Sequence, residues 1–171
     1  MLARAIRQNT FLLDVPQITV VIAYDTFELG SRAMAVHERL TERLGSTFNL
    51  RQELWKFDLL EDPALRRAAA RETAAADIVI LATSRDAELP LYIREWLEES
   101  LQDHTGVGAF VALFEHPHPR IQPWLEAIAR RKGIDFFAQS ATTESCHTSA
   151  DAMPLPVFAG PAGPASSFAG N

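Results

Sequence analysis

Polar side chains that could bind a ligand form a first cluster after an apolar run near the start of the chain. The cluster contains Asp25 and Thr26, followed by Gly30, Ser31 and Arg32. Hydroxyls and backbone amides at a helix N-terminus bind anions, and an arginine adds positive charge. As a phosphate loop the segment is off pattern, because Asp25 and Glu28 stand where the anion would lie and oppose it by like-charge repulsion. A simpler interpretation of Ser31 is that it only N-caps the first helix.

Two further clusters follow later apolar runs. Thr83, Ser84, Arg85 and Asp86 come after the first of them, and residues 115–118 read Glu-His-Pro-His. Imidazoles and carboxylates are metal ligands, but His116 and His118 have no third histidine at zinc spacing. We therefore expect a solvated turn at 115–118 and no metal site.

Apolar runs without alternation indicate strands that are buried on both faces. Such runs lie at Ile18–Ala23, Ile78–Ala82 and Ala109–Phe114. They are typical of a parallel sheet with helices on both sides. Phe48–Phe57 alternates imperfectly, which predicts an edge strand, and Ile134–Ala138 is a short fifth strand.

Capping signals place the helices between these strands. Asp62 followed by Pro63 predicts a helix start, and Pro90 predicts another after the third strand. Gly45 and Gly133 stand where helices end, and a left-handed backbone is expected at Gly45. Pro119 is expected to begin the fourth helix, and His37 to lie on the surface of the first.

Strands that alternate with helices predict an α/β fold. The expected architecture is a flavodoxin-like, doubly wound, five-stranded parallel sheet with strand order 2-1-3-4-5. Its ligands bind at the carboxyl ends of the strands, where the three clusters fall. The domain spans 18–138, after an N-terminal extension at 1–17. A tail rich in Pro, Gly and Ala at 139–171 stands where a fifth helix is expected, and it covers that apolar surface within one chain or across a homodimer.

Composition excludes some classes of partner. The net charge of −6 argues against nucleic acid and anionic membranes as partners. The apolar runs are too short to span a bilayer. The single cysteine, Cys146, forms no internal disulfide, and a cytoplasmic protein is expected.

Residues 77–98 resemble the third strand, flavin loop and following helix of the NADPH-dependent FMN reductases. Pro90 matches the second proline of that family's motif, Arg94 its lysine, and Trp96 with Leu97 its apolar pair. The loop departs from the family, since Ser84 replaces a proline, Asp86 a tyrosine and Glu88 a glycine. Receiver domains share the topology, and Asp25 matches their first acidic position, but their other site residues are replaced.

The resemblance implies FMN as the cofactor, if one is bound. The residues that would hold it are Thr26, Gly30, Ser31, Arg32, Thr83, Ser84, Arg85 and Asp86. Because these loops have diverged, the favoured prediction is a binding or regulatory module for a small molecule or a partner. An FMN-dependent NAD(P)H oxidoreductase is the first alternative, and a protein that binds partners through its hydrophobic tail is the second. Whether the chain catalyses any reaction stays open, and no catalytic residue is assigned.

Overall fold

The computed structural model describes residues 15–102 and 108–141. Strands and helices alternate along these ranges. In chain order they are β1 (Gln17–Tyr24), α1 (Phe27–Leu44), β2 (Asn49–Lys56), a 3-10 helix (Phe57–Glu61), α2 (Pro63–Ala74), β3 (Ile78–Thr83), α3 (Leu91–Gln102), β4 (Ala109–Phe114), α4 (Gln122–Lys132) and β5 (Asp135–Ser140).

The strands form one parallel sheet in the order β2-β1-β3-β4-β5. The predicted doubly wound α/β fold is thereby confirmed. The register places Tyr24 opposite Ala82, Thr83 opposite Phe114, and Phe114 opposite Ser140. The loops that follow β1, β3 and β4 therefore leave the same edge of the sheet.

Alternate side chains of the central strands β1, β3 and β4 enter two separate cores. Val21 and Ala23 belong to the larger core, which also contains the buried residues of α2, α3 and α4. Val20 and Ile22 face the smaller core under α1. Apolar side chains are thus needed at every position of a central strand, which explains the unbroken apolar runs in the sequence.

The capping predictions hold in part. Asp62 N-caps α2, accepting hydrogen bonds from the amides of Ala64 (2.7 Å) and Leu65 (3.2 Å). Gly133 ends α4 as predicted, and its φ of 68° lies in the left-handed region. The prediction of a left-handed backbone at Gly45 is wrong. Its φ is −64°, and its amide continues the right-handed turn by donating to the carbonyl of Thr41.

Two other predictions along the helices are also wrong. The fourth helix begins at Gln122 rather than at Pro119, because the residues before it form a turn in which the Gln122 amide donates to the Pro119 carbonyl. His37 is not on the surface, since only 8% of it is exposed. It continues the stripe of Leu29 and Ala33 by one further turn, so it faces the core.

None of the helices in the described ranges has both the length and the apolar character needed to cross a bilayer. Cys146 and the tail beyond residue 141 lie outside the described residues, as do residues 1–14. The division of the chain into an extension, a domain and a tail therefore stays a prediction, although β5 itself runs on to Ser140.

Candidate functional site

A cluster of partly buried hydrogen bonds at the edge of the sheet joins the ends of β1 and β3. The Asp25 Oδ2 atom accepts from the Thr83 hydroxyl (3.0 Å), the Ser84 amide (2.8 Å) and the Ser84 hydroxyl (2.8 Å). The Thr83 hydroxyl oxygen also accepts from the amide of Arg85 at 3.1 Å. A carboxylate that accepts several hydrogen bonds holds its donors firmly. We call Asp25, Thr83 and Ser84 the Asp25 cluster, and it ties the loop after β1 to the loop after β3.

The hydroxyl of Thr26, at the same edge of the sheet, caps the first helix. Its oxygen accepts from the amide of Leu29 at 3.3 Å, so Thr26 is the N-cap of α1. The interpretation of Ser31 as the N-cap is wrong, because the helix begins one turn earlier. The signal for this earlier start is Leu29, which extends the buried stripe of Ala33 and brings the first turn onto the sheet.

Within α1, the remaining predicted site residues point to different surroundings. Gly30 packs against the ring of Tyr24, where an added Cβ would lie 2.9 Å from Cδ2. Ser31 is exposed and lines a cavity of about 110 Å³ with Phe27 and Met34 among its neighbours. Arg32 reaches across the sheet edge, where its Nη1 donates to the carbonyl of Phe114 at 3.0 Å.

A phosphate group fits this loop poorly. The Thr83 and Ser84 hydroxyls both donate to Asp25, which presents a negative charge beside them. Two like unit charges about 4 Å apart near a protein surface repel by about 4 kcal/mol. The assignment of these residues to a flavin cofactor stays a prediction, and their contacts do not favour it.

A second set of contacts joins the loops after β3 and β4. Asp86 accepts a hydrogen bond from Arg120 Nε at 2.9 Å, and its backbone carbonyl accepts from the amide of Ile121 at 2.9 Å. The hydrogen bond from Arg120 lowers the pKa of the Asp86 carboxyl below its usual value. Asp86 therefore links the two loops through both its side chain and its backbone.

These two loops enclose a cavity of about 190 Å³ beside the first turns of α3 and α4. Its lining consists of Ala87, Glu88, Leu89, Arg94, Arg120, Ile121 and Trp124. Leu89 and Ile121 are buried, so the lining has an apolar part, and the two arginines give it positive charge. We call this cavity the Arg94 pocket.

The guanidinium of Arg94 lies over the ring of Trp124, with 5.3 Å between Cζ and the ring centroid. This distance is within the range of a cation–π contact. Sequence reasoning missed the pair, because the two residues belong to different helices. The available signal was that each lies in the first turn of a helix that follows one of two adjacent strands.

The Glu-His-Pro-His cluster forms an exposed turn, as expected. Residues 115–118 are all exposed, and His118 has a left-handed backbone with φ 53°. Among the described residues, no three acidic, histidine or cysteine side chains lie close enough together to hold a metal ion.

No protein-family model matches the chain, and no curated protein matches it either. Among solved structures, the crystal structure of the S. aureus homoserine dehydrogenase at pH 6.0 is similar, with a TM-score of 0.48 and 11% sequence identity. The match covers 73% of this chain and 33% of that chain, so this chain spans about a third of the enzyme's length.

Proposed function

We propose that this chain is a non-catalytic binding module of flavodoxin-like topology, whose flavin loops have diverged and whose small-molecule site lies at the carboxyl edge of the sheet. The observation that carries the proposal is the Asp25 cluster. Its carboxylate engages the hydroxyl and amide donors of the loop after β3. Of the two cavities described at this edge, the Arg94 pocket is the larger, at about 190 Å³ against about 110 Å³, and it lies on the other side of that loop.

The first alternative is an FMN-dependent oxidoreductase. In that case Thr26, Ser31 and Arg32 would bind the phosphate of the cofactor. The Thr26 hydroxyl accepts from the Leu29 amide, and one Arg32 N–H donates to the Phe114 carbonyl, so both side chains already have structural partners. Asp25 would also repel the phosphate. This repulsion favours the binding module.

The second alternative, a partner-binding protein that uses its tail, concerns residues outside the described ranges. A homodimer is likewise a prediction. Light scattering of the full chain over a range of concentrations measures the oligomeric state, and a concentration-dependent mass would support a self-association function.

The test of the proposed function is an absorbance scan of the purified full chain, followed by thermal unfolding with added FMN. Riboflavin, which lacks the phosphate, is the matched ligand. We expect no flavin absorbance and no saturable stabilisation. A ligand present at about 100 times its dissociation constant stabilises a protein by about 2.7 kcal/mol, so binding would be visible.

The variant Asp25→Asn sharpens this test, because it removes the charge and keeps the size of the side chain. If FMN binds to Asp25→Asn but not to the native chain, Asp25 is what opposes the phosphate. Glu42→Gln, an exposed charge change within α1, is the control. Flavin bands in the native protein, or saturable stabilisation by FMN, would refute the binding-module proposal.

A further inference from the structure

Arg94 is a half-buried cation whose guanidinium makes no hydrogen bond or salt bridge with any of the described residues. Its contact is the face of the Trp124 ring. A guanidinium is planar and carries its N–H donors at its edge. Because Arg94 lines the pocket and bonds to none of the described residues, these donors are available to a group that enters the Arg94 pocket.

The complement of such a planar donor edge is an anion with two oxygens. A carboxylate or phosphate accepts two parallel hydrogen bonds from one arginine. The buried side chains of Leu89 and Ile121 provide an apolar wall for the rest of the ligand.

The charges around the pocket are mixed, and each has a consequence. Arg94 and Arg120 are positive, whereas Glu88 is negative and has no partner among the described residues. Asp86, which adjoins the pocket, pairs with Arg120, but both members of that pair are largely exposed. An exposed ion pair is weak, so Arg120 can be shared with an incoming anion. Glu88 opposes such an anion, which makes it a useful probe.

The size of the pocket limits the ligand. A volume of about 190 Å³ is below the roughly 300–1,000 Å³ of sites for drug-sized molecules. We propose that the Arg94 pocket binds a small organic carboxylate, with Arg94 as the residue that recognises the anionic group and Trp124 as the residue that orients Arg94. This inference rests on the proposed function, since it names the ligand class at the same sheet edge.

The experiment uses benzoate as the probe and benzamide as its neutral counterpart of the same shape. Both are titrated into the full chain while the indole N–H signals of its three tryptophans are followed by NMR. The Trp124 signal is assigned with Trp124→Phe. We expect benzoate to shift that signal saturably and benzamide to bind at least about tenfold more weakly, as expected for loss of a charge-assisted hydrogen bond.

Three charge variants separate recognition from general attraction. Arg94→Gln is expected to weaken benzoate binding at least about tenfold. Arg43→Gln, an exposed arginine in the last turn of α1, is expected to leave it unchanged. Glu88→Gln is expected to strengthen binding about twofold or more, because it removes a repulsive charge. If Arg94→Gln does not fold, the comparison of benzoate with benzamide and the Glu88 variant still decide the question.

Equal binding of benzoate and benzamide would overturn the inference, as would equal losses in the Arg94 and Arg43 variants. No saturable binding up to roughly 10 mM benzoate would overturn it as well. These failures differ from failure of the proposed function, which shows as FMN binding. A chain that binds neither FMN nor benzoate would refute the ligand class alone.

Discussion

The Asp25 cluster predicts a large loss of stability when its carboxylate is removed. Asp25→Ala deletes the single oxygen that accepts from the Thr83 hydroxyl, the Ser84 amide and the Ser84 hydroxyl. Ser84 is half-buried, so water can satisfy part of its lost bonding. Thr83 is fully buried, so its hydroxyl loses a partner that water replaces poorly.

The magnitude follows from these three bonds, reduced by the gain from deleting Asp25 Oδ1, which is buried and has no hydrogen-bond partner among the described residues. Hydrogen bonds to charged groups contribute about 1.5–3 kcal/mol each, and a buried donor without a partner costs about 1–3 kcal/mol. Because the bonds share one acceptor atom and Ser84 can bond water, their contributions do not add fully. We expect Asp25→Ala to lower the free energy of unfolding by about 3 kcal/mol. For a chain of this size this is a fall in Tm of about 6–12 °C.

Urea unfolding followed by circular dichroism measures the loss, with Glu42→Ala, an exposed site in α1, as the control. The control is expected to stay within about 0.5 kcal/mol of the native chain. Thr83→Val keeps the shape of its side chain and deletes the hydroxyl, at a cost of about 1.5 kcal/mol. The double variant is expected to fall short of the sum by about 1 kcal/mol, since both changes remove the same bond.

A loss in Asp25→Ala no larger than that in Glu42→Ala would refute the reasoning. Strict additivity of the Asp25 and Thr83 changes would do so as well, because it would mean that the two side chains do not interact in solution.

Three further outcomes follow from the same edge of the sheet and from α1. Thr26→Ala should lower the free energy of unfolding by about 1 kcal/mol in urea, while Thr26→Ser keeps the cap, and an equal loss in both would contradict the capping role. Gly30→Ala should cost about 1–3 kcal/mol, because the new Cβ would meet the Tyr24 ring at 2.9 Å, and an unchanged Tm would show that the ring moves freely. Burial lowers the pKa of His37 below its usual 6.5, so the unfolded chain takes up the proton more readily than the folded one. Stability should therefore be full above pH 6.5 and fall as the pH drops below it. Urea titrations across that range should show a smaller slope for His37→Gln, and an equal slope would exclude His37 as the cause.

Much of the fold could be predicted because its signals are local. A central parallel strand is buried on both faces, so Ile78–Ala82 must be apolar at every position. Edge strand β2 has one wetter face, which its imperfect alternation reflects. Asp62 and Gly133 act on backbone groups within a few residues, so a short window of sequence is enough to recognise them.

The errors arose where two local signals compete. Thr26 and Ser31 are both acceptable N-caps, and the choice depends on which first turn brings Leu29 onto the sheet. Gly45 can adopt a left-handed backbone but does not have to, and here its amide bonds to Thr41 in a right-handed turn.

The sequence alone determined the order of the elements, the edge at which their loops meet and the residues of the apolar cores. It could do so because periodicity and capping act over short distances. The candidate site was decided by the tertiary structure. Asp25 meets Thr83 across 58 residues, and Arg94 meets Trp124 from a neighbouring helix. Such contacts depend on how the sheet brings distant loops together, so they cannot be predicted from the spacing of residues along the chain. Polar residues that looked like ligands for a phosphate thereby became partners of one another, and the open donors lie at Arg94 instead.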